Sequence, residues 1–252
     1  MKFFESHFEE YVSSHDKISL HPKVDIEIER FPSNFHELGN VIVYGPKGVG
    51  KYTCALNIVR RYSGSDLKYE KKLVIDTSKG EQVVKISDIH FEVDLSLLGC
   101  NSKSLWNDIY SDIRDVVSAR QSRNGIIMCK YFHDIHGELL ESFYSYMQTD
   151  PNPSINLKFV FITEELSFIP DSIRNKCKLI RVPRPSRAQY NRCLPSKVCR
   201  DIPLEEITNM KNVSAGVRQL MKPYQVVCDG IIDIIIDTDK VKFADLRDRL
   251  YD

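Results

Sequence analysis

Strands and helices alternate along most of this chain, which predicts an α/β fold: a parallel sheet with helices on both faces, followed by a small all-α region. Three observations carry that expectation. Short apolar runs, Val41-Ile42-Val43-Tyr44, Ile126-Ile127-Met128-Cys129 and Leu157 to Ile162, have the length of fully buried strands. Segments with apolar residues at helical spacing separate them. After Pro183-Arg184-Pro185 the strand pattern stops.

Taken in order, residues 1–40 are polar and mixed, but Phe3, Phe4, Phe8 and Tyr11 recur at helical spacing and predict a short amphipathic helix. Val41–Tyr44 is the first strand. Cys54, Leu56, Ile58, Val59 and Tyr62 mark one side of a helix. Leu73 to Asp76 reads as a strand, and Val83 to Val93 as another with alternation. Leu105, Ile109, Ile113, Val116 and Val117 fit a long helix. Ile126–Cys129 is a buried strand, and Leu139, Leu140, Phe143 and Met147 fit a helix after it. Leu157–Ile162 and Leu179–Val182 complete the sheet. Residues 186–252 read as helical, including Val226 to Ile236 and Val241 to Tyr251.

The 252 residues suffice for one large domain or two small ones. Lys plus Arg is 35 and Asp plus Glu is 35, so net charge does not point to a strongly basic nucleic-acid binder. A basic stripe within a neutral total stays open. Cys54, Cys100, Cys129, Cys177, Cys193, Cys199 and Cys228 are odd in number and include no C-x-x-C pair, against a disulfide scaffold or zinc knuckle. Reduced, mostly buried thiols of an intracellular protein are expected. Met1 to Ser6 reaches an acidic residue too soon for a signal peptide. Gly230 to Ile236 is too short to span a bilayer, so no membrane contact is expected.

The chemistry is concentrated in Gly45-Pro46-Lys47-Gly48-Val49-Gly50-Lys51-Tyr52-Thr53, which matches G-x-x-x-x-G-K. Glycines let successive backbone N–H groups converge on one phosphate, the lysine reaches the outer phosphates, and the following helix presents its positive end. The position after the lysine should carry a hydroxyl that ligates Mg²⁺. Tyr52 stands there, and Thr53 is rotated by about 100° along the helix. Nucleotide binding is expected; Mg²⁺-assisted hydrolysis is in doubt.

A hydrolytic site also needs acids at the end of a second buried strand. After Cys129 come Lys130, Tyr131, Phe132 and His133, and Asp134 arrives late. His133, Asp134 and His136 could form a metal or acid–base site, but a solvated connection is the stronger reading. No catalytic residue is assigned.

At these residues the chain resembles the small subunits of replication factor C, the eukaryotic and viral clamp loader of the AAA+ class, and among them the non-hydrolysing subunit at the end of the pentameric arc. The loop itself carries the likeness, with Ser87-Asp88-Ile89-His90-Phe91-Glu92-Val93-Asp94 and Gly99, Pro170-Asp171-Ser172-Ile173-Arg174-Asn175-Lys176-Cys177, and Leu246-Arg247-Asp248-Arg249-Leu250-Tyr251. It runs from about residue 40 to the end. The first 40 residues do not show the family's adenine-contacting opening.

The resemblance implies an AAA+ domain over 1–185, a helical lid over 186–222 and the start of a collar over 223–252. It implies ATP or ADP bound by residues 45–53 with Arg218 as a lid arginine. Lys176 falls where the family places an arginine that reaches a neighbour's ATP, and lysine lacks the planar fork; Arg174 is the other interface candidate. Near Thr163 and Glu164 the family's usual asparagine is missing. The implied partners are other clamp-loader subunits, a sliding clamp and primer-template DNA, in a nucleus or at a viral replication site. Arg114, Arg120 and Arg123 are DNA-contact candidates or a solvated helix face. Two other readings stay open: an active P-loop ATPase or kinase using Asp134, Asp76 or Glu164, and a structural AAA+ relic that binds no nucleotide.

Overall fold

The computed structural model describes residues 7–77, 80–148 and 155–194, with scattered positions from 198 to 236. The chain divides into two compact units, Met1–Pro185 and Ser186–Asp252.

In the first unit, α1 (His7–Lys17) and α2 (Pro22–Glu29) precede β1 (Asn40–Tyr44) and α3 (Lys51–Arg60). Then come β2 (Lys71–Thr77), β3 (Gly80–Ile86), β4 (His90–Asp94), α4 (Ser102–Ala119), β5 (Asn124–Lys130), α5 (Gly137–Met147), β6 (Asn156–Thr163), the short α6 (Asp171–Arg174) and β7 (Cys177–Arg181). The seven strands form one sheet in the order β2-β3-β4-β5-β6-β1-β7. β4, β5, β6, β1 and β7 run parallel to one another, while β3 is antiparallel to both β4 and β2 and makes with β2 an antiparallel extension.

Two expectations change here. Val83 to Val93 is not one strand but two, β3 and β4, separated by a turn at Ser87–Ile89. The Ser87 hydroxyl causes the break: it accepts from the backbone N–H of Ile89 (3.2 Å) and of His90 (3.0 Å). The sheet is also only mostly parallel, because the short links between β2, β3 and β4 leave no room for a crossover helix.

Alternation along the central strands feeds two cores. Val41, Val43, Ile126, Met128, Val160 and Ile162 face one way, against Leu56, Ile58 and Val59 of α3 and Phe8 of α1. Ile42, Ile127, Cys129, Phe159 and Phe161 face the other way, against Trp106, Ile109 and Ile113 of α4 and Phe143 of α5. This is the both-sides-buried pattern that near-continuous apolar strands demand. Phe3 and Phe4 lie outside the described residues; Phe8 and Val12 are the buried side of α1.

In the second unit, Ser186 and Gln189 close a capping box on α7 (Arg187–Cys193), and Leu204–Glu206 form a 3₁₀ turn. Positions 228, 231, 232, 235 and 236 are helical. The rest of the segments 226–236 and 241–251 lies outside the described residues.

Phe143 is the hub of the second core. Its ring centroid lies 4.8 Å from that of Trp106, 5.3 Å from Phe132, 5.6 Å from Phe159 and 5.4 Å from Phe161. Phe143→Ala is expected to cost about 3–5 kcal/mol of stability, measured by urea unfolding of the purified chain.

Candidate functional site

β1 delivers the chain into the glycine loop at the carboxyl end of the parallel strands, where α/β sheets bind ligands. Gly45 is pressed against the neighbouring chain: a Cβ there would stand 2.1 Å from the Val182 carbonyl oxygen. Gly50 has φ 93°, a left-handed geometry at the N-cap of α3. Gly48 is half-buried, Val49 is buried, and Pro46 and Lys47 are exposed.

Lys51 opens α3, and its side chain turns back into the loop. Its ammonium donates to the carbonyl oxygens of Gly45 (2.8 Å) and Pro46 (2.7 Å). The carboxylate of Glu164 lies 3.6 Å away. Burial holds this lysine below its ordinary range, against the pull of Glu164; Lys47 and Arg184 add to the lowering. The loop is a preformed cradle with cations around it, and the N-terminus of α3 points into it. These features fit the phosphates of a nucleotide.

The back of the loop is clamped from residues that the sequence left without a role. The buried His21 ring donates from Nε2 to the Val49 carbonyl oxygen at 2.6 Å. His21 caps α2, and Asp25 on α2 binds the Ser19 hydroxyl and His15 Nε2 (3.0 Å). A lone histidine in a polar stretch gives no sequence signal for such a clamp.

The positions that would hold a metal are built differently. The Tyr52 hydroxyl donates to Glu92 Oε1 at 2.5 Å, and its ring packs edge-on against Tyr11 at 4.9 Å. Burial and the adjacent carboxylate push the phenol well above its ordinary value. Lys130, the last residue of β5, places Nζ 3.5 Å from Glu92 Oε2 and 5.7 Å from the centre of the Tyr52 ring. Only 1% of the Glu92 side chain is exposed. Burial pushes its carboxyl up, but the His90, Lys130 and Tyr52 contacts outweigh that and hold it below its ordinary value. Tyr131 follows in the left-handed region (φ 53°) and is exposed. A phenol committed as a donor and an ammonium do not fit a divalent cation.

Of the carboxylates considered for metal or water, Glu164 is the one brought to Lys51. It also lies 3.9 Å from His133 Nε2, which is 3.8 Å from Asp134. Asp76 lies on the outermost strand, β2. Among the described residues no cluster of three or more His, Cys, Asp or Glu could hold a metal ion, so the His133, Asp134 and His136 reading as a metal site is not supported.

Arg174 and Lys176 lie at the other end of the sheet. Cys177 pairs with Asn40 and Arg181 with Tyr44, so Lys176 precedes β7 at the end remote from the loop. Five residues of strand separate the two ends by roughly 16 Å. Arg174 pairs with Asp171, and Lys176 is exposed. Arg218 lies outside the described residues. Arg120 is half-buried and committed to the fold: it donates to the Ser87 carbonyl (3.2 Å) and lies 4.6 Å over the Phe91 ring. That leaves it a poor candidate for DNA.

The strand order, the loop after β1 and the lysine within it define a P-loop α/β domain of the AAA+ type. In sequence the chain is similar to subunits of replication factor C. It is 23% identical over 189 residues to replication factor C subunit 5 of Saccharomyces cerevisiae, covering 71% of this chain and 53% of that protein. It is 22% identical over 217 residues to probable replication factor C subunit 3 of Dictyostelium discoideum, covering 81% and 61%. The chain thus spans between half and two thirds of the length of these relatives. No family model matches the sequence. The Thermotoga maritima RuvB Holliday junction branch migration motor aligns at 15% identity over 72% of this chain and 48% of that one, with a TM-score of 0.41. Among the described residues, no helix is long and apolar enough to cross a membrane.

The Glu92 site yields a pH prediction. A carboxyl held below its ordinary value of 4.5 contributes stability that is fully present above that pH and lost as pH falls through the depressed value. The wild-type chain is expected to lose more stability than Glu92→Gln between neutral pH and the acid range, read from thermal unfolding at a series of pH values. Tyr52→Phe removes the donor and is expected to cost about 1–3 kcal/mol at neutral pH, read by denaturant unfolding.

Proposed function

We propose that this chain is a clamp-loader subunit that holds ATP or ADP with little or no hydrolysis and helps load a sliding clamp onto primer-template DNA. One observation carries the reading: the phosphate cradle is intact around Lys51, whereas Tyr52, Lys130 and Tyr131 occupy the places of the metal and water ligands. Selection for phosphate binding explains the first, and release from hydrolysis explains the second. The likeness to replication factor C subunits supplies the assembly. In this reading the neighbours hydrolyse ATP, and this subunit supplies shape and a surface.

Within that assembly, residues 186–222 act as the lid and 223–252 as the start of a collar. Arg218, which lies outside the described residues, is assigned the role of a lid arginine for nucleotide on the resemblance to the family alone. Lys176, at the edge away from this chain's own loop, faces a neighbouring subunit's nucleotide with a single charge in place of a guanidinium fork, and Arg174 orders the same interface. The site of action is a nucleus or a viral replication compartment.

The test has two arms. Fluorescent ADP and ATP should bind the purified chain, Lys51→Ala should weaken binding at least about tenfold, and phosphate release should stay at background. Affinity capture from the native source should bring related AAA+ subunits and a sliding clamp. Magnesium-dependent turnover that vanishes in Lys51→Ala would establish an active ATPase instead; absence of any nucleotide binding would establish a structural relic.

A further inference from the structure

Tyr52 and Lys130 occupy the two positions at which a P-loop site normally binds its metal, and they share one buried carboxylate. Glu92 reaches up from β4, accepts the Tyr52 hydroxyl on Oε1 and pairs with the Lys130 ammonium through Oε2. His90, fully buried beside it, places Nε2 3.7 Å from Oε1, and its Nδ1 meets the Ser87 hydroxyl at 2.5 Å. The carboxylate is thus hydrogen-bonded by Tyr52, with Lys130 and His90 at longer range on its other sides.

Lys130 differs from its partners in exposure: 28% of its side chain is open, against 1% for Glu92. Its Nζ stands over the ring of Tyr52, the residue that follows Lys51 at the N-terminus of α3. Lys130 ends β5 on the margin of the parallel strands where β1 gives way to the glycine loop, with β6 between them, and its ammonium is anchored there on a carboxylate. A metal in a P-loop site has the same order of charge, an acid beneath a cation, but here the cation is part of the chain.

The geometry points to Lys130 as the resident cation of this site, which takes metal-free nucleoside polyphosphate in place of the magnesium complex. This rests on the nucleotide-binding reading and goes beyond it by naming the ionic form of the ligand and the residue that selects it. A divalent ion would meet an ammonium and a phenol where two oxygen ligands are needed. The phosphate charge is met instead by Lys51, Lys130 and the helix N-terminus.

The experiment compares the affinity of the full chain for fluorescent ADP and ATP in magnesium and in EDTA, for the wild type, Glu92→Gln and Lys130→Met/Glu92→Gln. The double variant removes the ammonium without leaving a buried charge unpaired, and thermal unfolding checks that it folds. Wild-type affinity is expected to change less than about twofold on removing magnesium, and the double variant to bind about tenfold more weakly than Glu92→Gln. Should the double variant not fold, Lys130→Arg takes its place, and metal-independent binding equal to wild type is expected. Wild-type binding that falls tenfold or more in EDTA would overturn the proposal and leave nucleotide binding standing. Metal-independent binding with the double variant equal to Glu92→Gln would overturn the assignment to Lys130. No binding in either condition would remove the nucleotide-binding reading, and this inference with it.

Discussion

A carboxylate taken out of water needs partners on every side, and Glu92 is the place where this requirement shapes the molecule. It sits in the middle of a buried strand and is met by a phenol from α3, an ammonium from β5 and an imidazole from its own strand. Those contacts join the helix that follows the phosphate loop to two central strands. The Tyr52 hydroxyl makes the short contact, while the Lys130 ammonium, partly open to solvent, and the His90 ring stand further off at 3.5 and 3.7 Å. The same contacts leave no oxygen pair for a metal. Interior electrostatics and the poor fit of this place to a divalent cation are thus one arrangement seen from two sides.

The loop shows the complementary case. Its lysine is held by carbonyl oxygens of the segment it serves, and the histidine behind it holds the Val49 carbonyl in place. The cradle keeps its shape through contacts within the chain.

Most of the sheet was legible from residue order. Runs such as Ile126–Cys129 announce strands buried on both faces, and the spacing of Leu105, Ile109 and Ile113 announces α4. The break at Ser87 was not legible, because a serine in an alternating run signals a turn only when its hydroxyl is seen bound to the backbone two and three residues on. Tyr52 could be read as the loss of a metal ligand, since that depends on chemistry at a known offset. Its partner could not: a glutamate forty residues away becomes a neighbour only when β4 is laid beside β5. Glu92 between Phe91 and Val93 was the available hint, an acid amid a strand with no exposed face. His21 offered no hint at all.

The antiparallel extension has a further consequence. It places β2 on one margin of the sheet and β7 on the other, each with a row of backbone groups not paired by a further strand of this sheet. β2 carries Lys71, Lys72 and Asp76 at exposed positions, and β7 carries Lys178 and Arg181 likewise. Each margin carries charged side chains that must lose water if another strand docks there, and lysines on outer strands are a common guard against runaway strand pairing. The sheet is therefore kept finite by its own borders, and the chain can stand at high concentration without strands of separate copies joining into fibres.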